Sequence, residues 1–179
     1  MDHNEKTLDT KLIYEGRILR LELQTVELCN NKHAQREIIR HRGGVAVIPI
    51  TENNEVILVR QFRKPYDEEL LEVPAGKLEA GEDIKLCAVR ELKEETGYEA
   101  AHIGYLYTMY PSPGYTDEKI HIYKAEGLTE GSPSLDEDEF LSVEKYSLRE
   151  AVAMVNMGII KDAKTAIAIL MLNAQINHK

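Results

Sequence analysis

Three glutamates, Glu91, Glu94 and Glu95, stand close together in Arg90-Glu91-Leu92-Lys93-Glu94-Glu95-Thr96-Gly97-Tyr98. At about 100° of turn per residue, positions i, i+3 and i+4 fall on one side of a helix, so their carboxylates project together. Ile84, Ala88 and Leu92 form a separate i, i+4 stripe suited to packing on a sheet. The acids occupy the last turns before Gly97, where the helix macrodipole is negative and each carboxylate costs about 0.3–1 kcal/mol. Repulsion at the wrong end of a helix is relieved by a bound cation. Oxygen-only ligation with room for water and phosphate suits Mg²⁺ or Mn²⁺, ions that neutralise a diphosphate and lower the pKa of an attacking water. Arg90 lies about 40° around the helix from Glu94, in position to orient that carboxylate. The competing interpretation of an isolated E-x-x-E-E is a solvated acidic face with Glu–Lys pairing. The flanking glycines, Arg90 and Glu82 argue against it here.

The stretch Gly76-Lys77-Leu78-Glu79-Ala80-Gly81-Glu82, continued by Arg90 to Tyr98, resembles the Nudix box, G-x5-E-x7-R-E-U-x-E-E-x-G-U, where U is a bulky aliphatic residue. Every fixed position matches. The departure is Tyr98 in place of the last aliphatic, at a position that packs rather than reacts. The resemblance implies hydrolysis of a pyrophosphate linked to a nucleoside, with two or three Mg²⁺, or Mn²⁺, on the helix. It makes Glu91 and Glu95 direct ligands and lets Glu94 ligate directly or bridge through water. The backbone carbonyl of Ala75 is a further ligand, and Arg90 and Glu82 are supporting residues.

Outside the box, three segments resemble the ADP-ribose pyrophosphatase subfamily. Pro113 lies 16 residues beyond Gly97 in the loop Tyr110-Pro111-Ser112-Pro113-Gly114-Tyr115, which implies substrate contacts from Ser112 and Gly114. An N-terminal β extension ending in Arg36-Glu37-Ile38-Ile39-Arg40-His41 resembles the part through which those enzymes form a homodimer, with Arg36 toward the adenine. Arg63 would hold a substrate phosphate, since guanidinium is a planar, permanently charged fork. The acidic loop Asp136-Glu137-Asp138-Glu139 resembles the one that supplies the catalytic base, with Glu139 the first choice and Glu137 the second. A carboxylate near cations stays ionised and accepts a proton from water only when positioned to do so. The implied reaction converts ADP-ribose to AMP and ribose 5-phosphate. Another nucleotide-sugar diphosphatase, for example one acting on GDP-mannose, shares this layout. A sensor that binds ADP-ribose without cleaving it is disfavoured by the complete set of box glutamates.

The remaining composition sets bounds. A chain of 179 residues, 43% apolar, can bury one full core. Its formal net charge of -9 disfavours a nucleic-acid surface. Two distant cysteines, Cys29 and Cys87, point to a reducing compartment, and a polar N-terminus with no span-length apolar run points to the cytoplasm and no membrane partner. Asp136-x-Asp138 lacks the later ligands and glycine of a calcium loop. His41 and His121 have no second ligand at metal spacing and read as structural or surface residues.

These residues need a frame. Leu12–Leu28 reads as a hairpin around Glu15-Gly16-Arg17, followed by a strand near Gln35–His41. Val45–Ile50 and Val56–Phe62 are apolar strands joined by a polar turn, and a short strand at Leu70–Val73 leads to a loop over Gly76–Gly81. A helix follows over Asp83–Thr96, stopped by Gly97. Strands at Ile103–Tyr107, Lys119–Ala125 and Leu141–Tyr146 come next. Ser147 and Glu150 make a capping box for a helix to Met157, and a last helix spans Asp162–Asn173. The expected class is α+β, a Nudix fold with a mixed β-sheet between helices. Residues 1–42 form an antiparallel β appendage and residues 43–179 the catalytic domain.

Overall fold

A computed structural model describes residues 3–135 and 139–177. The chain forms two compact units. One comprises the residues through Gly43 together with Tyr110–Lys119, and the other Gly44–Met109 with the chain from Ile120 onward. The first unit holds β1 (Lys6–Glu15), β2 (Leu19–Glu27) and β3 (His33–His41), an antiparallel sheet in the order β1-β2-β3. Tyr110–Lys119 is stitched to β3: Ile39 N donates to the Tyr115 carbonyl at 2.7 Å, and Asp117 N donates to the Ile39 carbonyl at 3.2 Å.

The second unit contains β4 (Gly44–Pro49), β5 (Glu55–Arg63), β6 (Glu68–Glu72), β7 (Ala75–Lys77), α1 (Ile84–Thr96), β8 (Glu99–Met109), β9 (Ile120–Thr129), β10 (Leu141–Ser147), α2 (Leu148–Asn156) and α3 (Ala163–Asn177). Two sheets form, β10-β5-β6 and the mixed β7-β4-β9-β8, in which β4 and β9 run parallel. Every residue of β4 is buried because its alternate side chains serve two cores. Val45 and Val47 pack with Ala88 and Leu92 of α1. Ala46 and Ile48 pack with Ile169 and Leu172 of α3. The continuous apolar run of β4 is thus the mark of a strand covered on both faces.

Helix ends follow from local chemistry. The Asp83 carboxylate accepts from Lys85 N and Leu86 N, both at 3.0 Å, and starts α1. Gly97 ends it in the left-handed region at φ 76°, with its N–H on the Lys93 carbonyl at 2.8 Å. Ser147 and Glu150 close the capping box of α2.

The expected loop over Gly76–Gly81 is in part a strand. Ala75–Lys77 pairs with Gly44–Ala46, because β4 offers an open edge that three residues fill although Pro74 and Gly76 read locally as breakers. β1 begins at Lys6 rather than Leu12. All its residues are exposed, and its first half carries a single apolar residue, Leu8, too few to mark a strand. Among the described residues, no helix is long and apolar enough to cross a membrane.

Two leucines of α1 separate burial from position. Leu92 is 1% exposed and Leu86 65%. Leu92→Ala is expected to cost about 2–5 kcal/mol of stability through its cavity, and Leu86→Ala less than about 0.5 kcal/mol. Urea denaturation of both variants measures the contrast.

Candidate active site

The last two turns of α1 lean on β7, and a missing side chain makes the contact possible. A Cβ added at Gly76 would lie 1.9 Å from Glu91 Cδ and Oε1. Ala75 N donates to Glu95 Oε2 at 3.0 Å, so the Ala75 backbone lies directly against the second carboxylate. Glu91 and Glu95 are only 8% and 3% exposed, whereas Glu94 is half-buried. The three acids therefore share a side of the helix but differ in depth.

Arg90 neutralises the outer part of this group. Its NH1 lies 2.8 Å from both Glu91 Oε1 and Glu94 Oε2, while Nε and NH2 donate to Glu82 at 2.9 and 3.2 Å. The Arg90 guanidinium holds the Glu82 carboxyl well below the usual range, at about 2. The inner acids behave oppositely. Burial pushes Glu95 up to about 8, helped by the charges of Glu91 and Glu139 and opposed by the Ala75 N–H and Arg63. Burial also raises Glu91, and Glu94 and Glu139 add to the effect against Arg90. Glu139 is therefore near enough for its charge to be felt at both inner carboxylates. The second choice for the base, Glu137, lies outside the described residues.

The backbone of residues 131–134 is anchored by the end of α1. Ser134 N donates to the Glu94 carbonyl at 2.9 Å, and a Cβ at Gly97 would meet the Ser132 carbonyl carbon at 2.7 Å and Pro133 N at 2.8 Å. Gly97 thus does more than stop the helix, since any side chain there would collide with the backbone of residues 131–133.

Arg63 lies within electrostatic reach of Glu95. Its Nε and NH2 donate to the two oxygens of Glu72 at 2.7 and 2.9 Å, and Lys164 of α3 donates to the same carboxylate. Burial by itself would raise Glu72, but Arg63 and Lys164 outweigh it and hold the carboxyl below its usual value. Sequence reasoning does not single out Glu72 or Lys164. The trace of Glu72 is a carboxylate inside the apolar strand Leu70-Leu71-Glu72-Val73.

Ala75, Glu82, Arg90, Glu91, Glu94, Glu95, Arg63 and Glu139 all belong to the second unit. Arg36, Ser112 and Gly114 belong to the first. There the Arg36 guanidinium is engaged by Glu5, with Nε and NH2 donating at 3.0 and 2.6 Å, and by the Gln35 carbonyl. The Ser112 carbonyl accepts from Tyr115 N and Thr116 N at 3.2 and 3.1 Å, closing the turn that contains Gly114.

Among the described residues, no three Asp, Glu, His or Cys side chains are gathered at metal-ligating separations. Arg90 bridges Glu91 and Glu94, and Glu95 turns toward Ala75. The donor chemistry nevertheless suits a hard divalent cation. It consists of carboxylate and backbone oxygens, and it includes two carboxylates whose burial is costly until a positive charge arrives.

Two outcomes follow. The Gly76→Ala methyl meets only the flexible end of Glu91, so the fold should survive while Mg²⁺ affinity falls by about 10–100-fold, which calorimetric titration can measure. The second concerns pH. Because the folded-state value of Glu95 is about 8 against an ordinary 4.5, its contribution to metal-free stability is present below about 4.5 and lost as pH rises through about 8. A cation competes with that proton, so Mg²⁺ affinity should rise across the same window. Titrations between about pH 6 and 9 that gave constant affinity would contradict this assignment.

Comparison with known proteins identifies the family. The family model described as the NUDIX domain matches residues 40–166. A protein of Bacillus methanolicus named methanol dehydrogenase activator is 46% identical over 98% of this chain and 97% of its own length. The ADP-ribose pyrophosphatase of Bacillus subtilis (strain 168) is 44% identical, over 92% of this chain and 90% of its own. A crystal structure described as an ADP compounds hydrolase superposes with a TM-score of 0.82 at 23% identity, covering 97% of this chain and 95% of that one, which establishes the shared fold. With its box complete from Gly76 in β7 through α1 to Tyr98, its buried glutamates set against β7 and a family match over most of its length, the chain belongs to the NUDIX domain family.

Proposed function

We propose that the protein is a hydrolase that cleaves the diphosphate of ADP-ribose to AMP and ribose 5-phosphate. The observation that carries this reading is the pairing of two buried carboxylates, Glu91 and Glu95, with an arginine, Arg63, within electrostatic reach of Glu95. Relatives named ADP-ribose pyrophosphatase support the choice of substrate. Proteins of this family generally use divalent metal ions. Here Mg²⁺ is the proposed ion, with Mn²⁺ as a substitute and two or three per site. Glu91, Glu95 and the Ala75 carbonyl would hold it directly, and Glu94 directly or through water. When bound, the ions neutralise the diphosphate and acidify an attacking water.

The chain's own residues do the remaining work. Glu139, whose charge is felt at both inner carboxylates, orients the water and takes its proton, with Glu137 the second candidate. Arg63 presents guanidinium donors to a phosphate, and Arg90 with Glu82 keeps Glu94 oriented. Arg36 is assigned to the adenine, and Ser112 and Gly114 to substrate binding, in a homodimer, and the proposed compartment is the cytoplasm. Little covalent chemistry falls to the protein, so rate comes from positioning and charge neutralisation.

The name of the Bacillus methanolicus relative favours a second reading, in which the site serves to activate a partner dehydrogenase. A substrate panel of ADP-ribose, GDP-mannose, NADH and diadenosine polyphosphates, compared by kcat/KM with Mg²⁺, tests the first reading, and the rate of an alcohol dehydrogenase with and without the protein tests the second. AMP release from ADP-ribose should lead the panel. Glu95→Gln and Glu139→Gln should each lower kcat by at least about 100-fold. A wild-type protein inert on ADP-ribose but active on GDP-mannose would overturn the substrate assignment.

A further inference from the structure

Among the described residues of the second unit Glu72 is the most deeply buried carboxylate, 2% exposed, and two cations converge on it. In strand register Arg63 stands opposite Glu68 and Glu72 opposite Val59. Arg63 nevertheless reaches back along the sheet to Glu72, while Glu68 pairs with Lys161 at 2.7 Å. The fork uses Nε and NH2 on Glu72, which leaves the NH1 edge for another acceptor. The burial gradient has the same sense. The Glu72 side chain is 2% exposed, Lys164 12% and Arg63 37%, so the carboxylate is sealed while the arginine stays partly exposed.

A second bridge fixes this node to α3. Val73 N donates to Thr165 Oγ1 at 2.8 Å, the Thr165 hydroxyl donates to Asp162, and Asp162 in turn accepts from Lys164 at 3.1 Å. The segment Glu72-Val73, just before the Ala75 ligand, is therefore tied to the start of α3 at two points. A buried ion pair is a poor device for stability alone, because a well-packed apolar substitute commonly serves as well or better. Its geometry, a bidentate fork sharing one carboxylate with a lysine, is suited to holding a guanidinium in one orientation.

We propose that Glu72 and Lys164 are positioning residues for Arg63: Glu72 clamps one edge of the guanidinium so that its free edge meets a substrate phosphate, and Lys164 balances the charge of Glu72. The proposal rests on the assignment of Arg63 to phosphate binding given above. It adds the residues through which α3 takes part in substrate affinity, without contact between α3 and the substrate.

The test is steady-state kinetics of the full chain with ADP-ribose and Mg²⁺, alongside thermal melting. Arg63→Ala should raise KM. Glu72→Gln should raise KM about tenfold, the worth of one charge-assisted hydrogen bond, with kcat changed less than about threefold. Lys164→Met should raise KM about threefold and Lys164→Arg should restore it. The Arg63→Ala, Glu72→Gln double variant should be no worse than Arg63→Ala alone, because the two act through one contact. A wild-type KM in both Glu72→Gln and Lys164→Met would overturn the proposal, as would lower melting temperatures and kcat at unchanged KM, or an Arg63→Ala enzyme with normal KM. Should Glu72→Gln fail to fold, the Lys164→Met and Lys164→Arg pair decides. Absence of ADP-ribose turnover by the wild type overturns the substrate assignment instead, and the same KM comparison is then made with whichever member of the panel is cleaved.

Discussion

Two carboxylates, Glu91 and Glu95, are withdrawn from water at the negative end of a helix and pressed against a strand, and most of the second unit is organised around keeping them there. Without a compensating charge, such burial favours the protonated form, which is why Glu95 sits near 8. Helix α1 cannot move away, because Ala88 and Leu92 are locked into the core with Val45 and Val47. Nor can β7 withdraw, since its backbone is paired with β4. The absence of a side chain at Gly76 opens the space that Glu91 occupies. What results is a pair of buried carboxylates whose electrostatic cost a bound cation would relieve.

The basic residues around this pocket are held by acids that lie outside it. Arg90 is clamped by Glu82 while it bridges Glu91 and Glu94, and Arg63 is clamped by Glu72 beside Lys164. Each guanidinium thus has one edge fixed and another directed toward the carboxylate site or left accessible. An acidic protein that handles an anionic substrate needs this kind of local arrangement, because its net charge of -9 works against the encounter. Cations and oriented arginines reverse the field over a few ångströms and leave the rest of the surface acidic.

The C-terminal end of α1 carries a further burden. Gly97 adopts φ 76°, caps the helix and admits the backbone of Ser132 and Pro133, while the Glu94 carbonyl accepts from Ser134. The same turn that bears the carboxylates therefore holds the backbone at Ser134.

What the sequence determined by itself is the local chemistry. Helical spacing put Glu91, Glu94 and Glu95 on one side with Ala88 and Leu92 on another, Asp83 and Gly97 marked the ends of α1, and the Ser147–Glu150 box began α2. Each depends on neighbours within a turn or two, where one sequence suffices. The apolar runs of β4 and β5 likewise announced strands covered on both faces. Tertiary structure decided the rest. It drew Ala75–Lys77 into a strand at the edge of β4, buried Glu91 and Glu95 while leaving Glu94 half-buried, and turned Arg63 toward Glu72 rather than Glu68. It also brought Lys164 from α3 onto Glu72, 92 residues earlier in the chain. No local pattern encodes such pairings, because a buried charge selects its partner by which opposite charge the fold carries within reach, and that depends on the packing of sheets and helices distant in sequence.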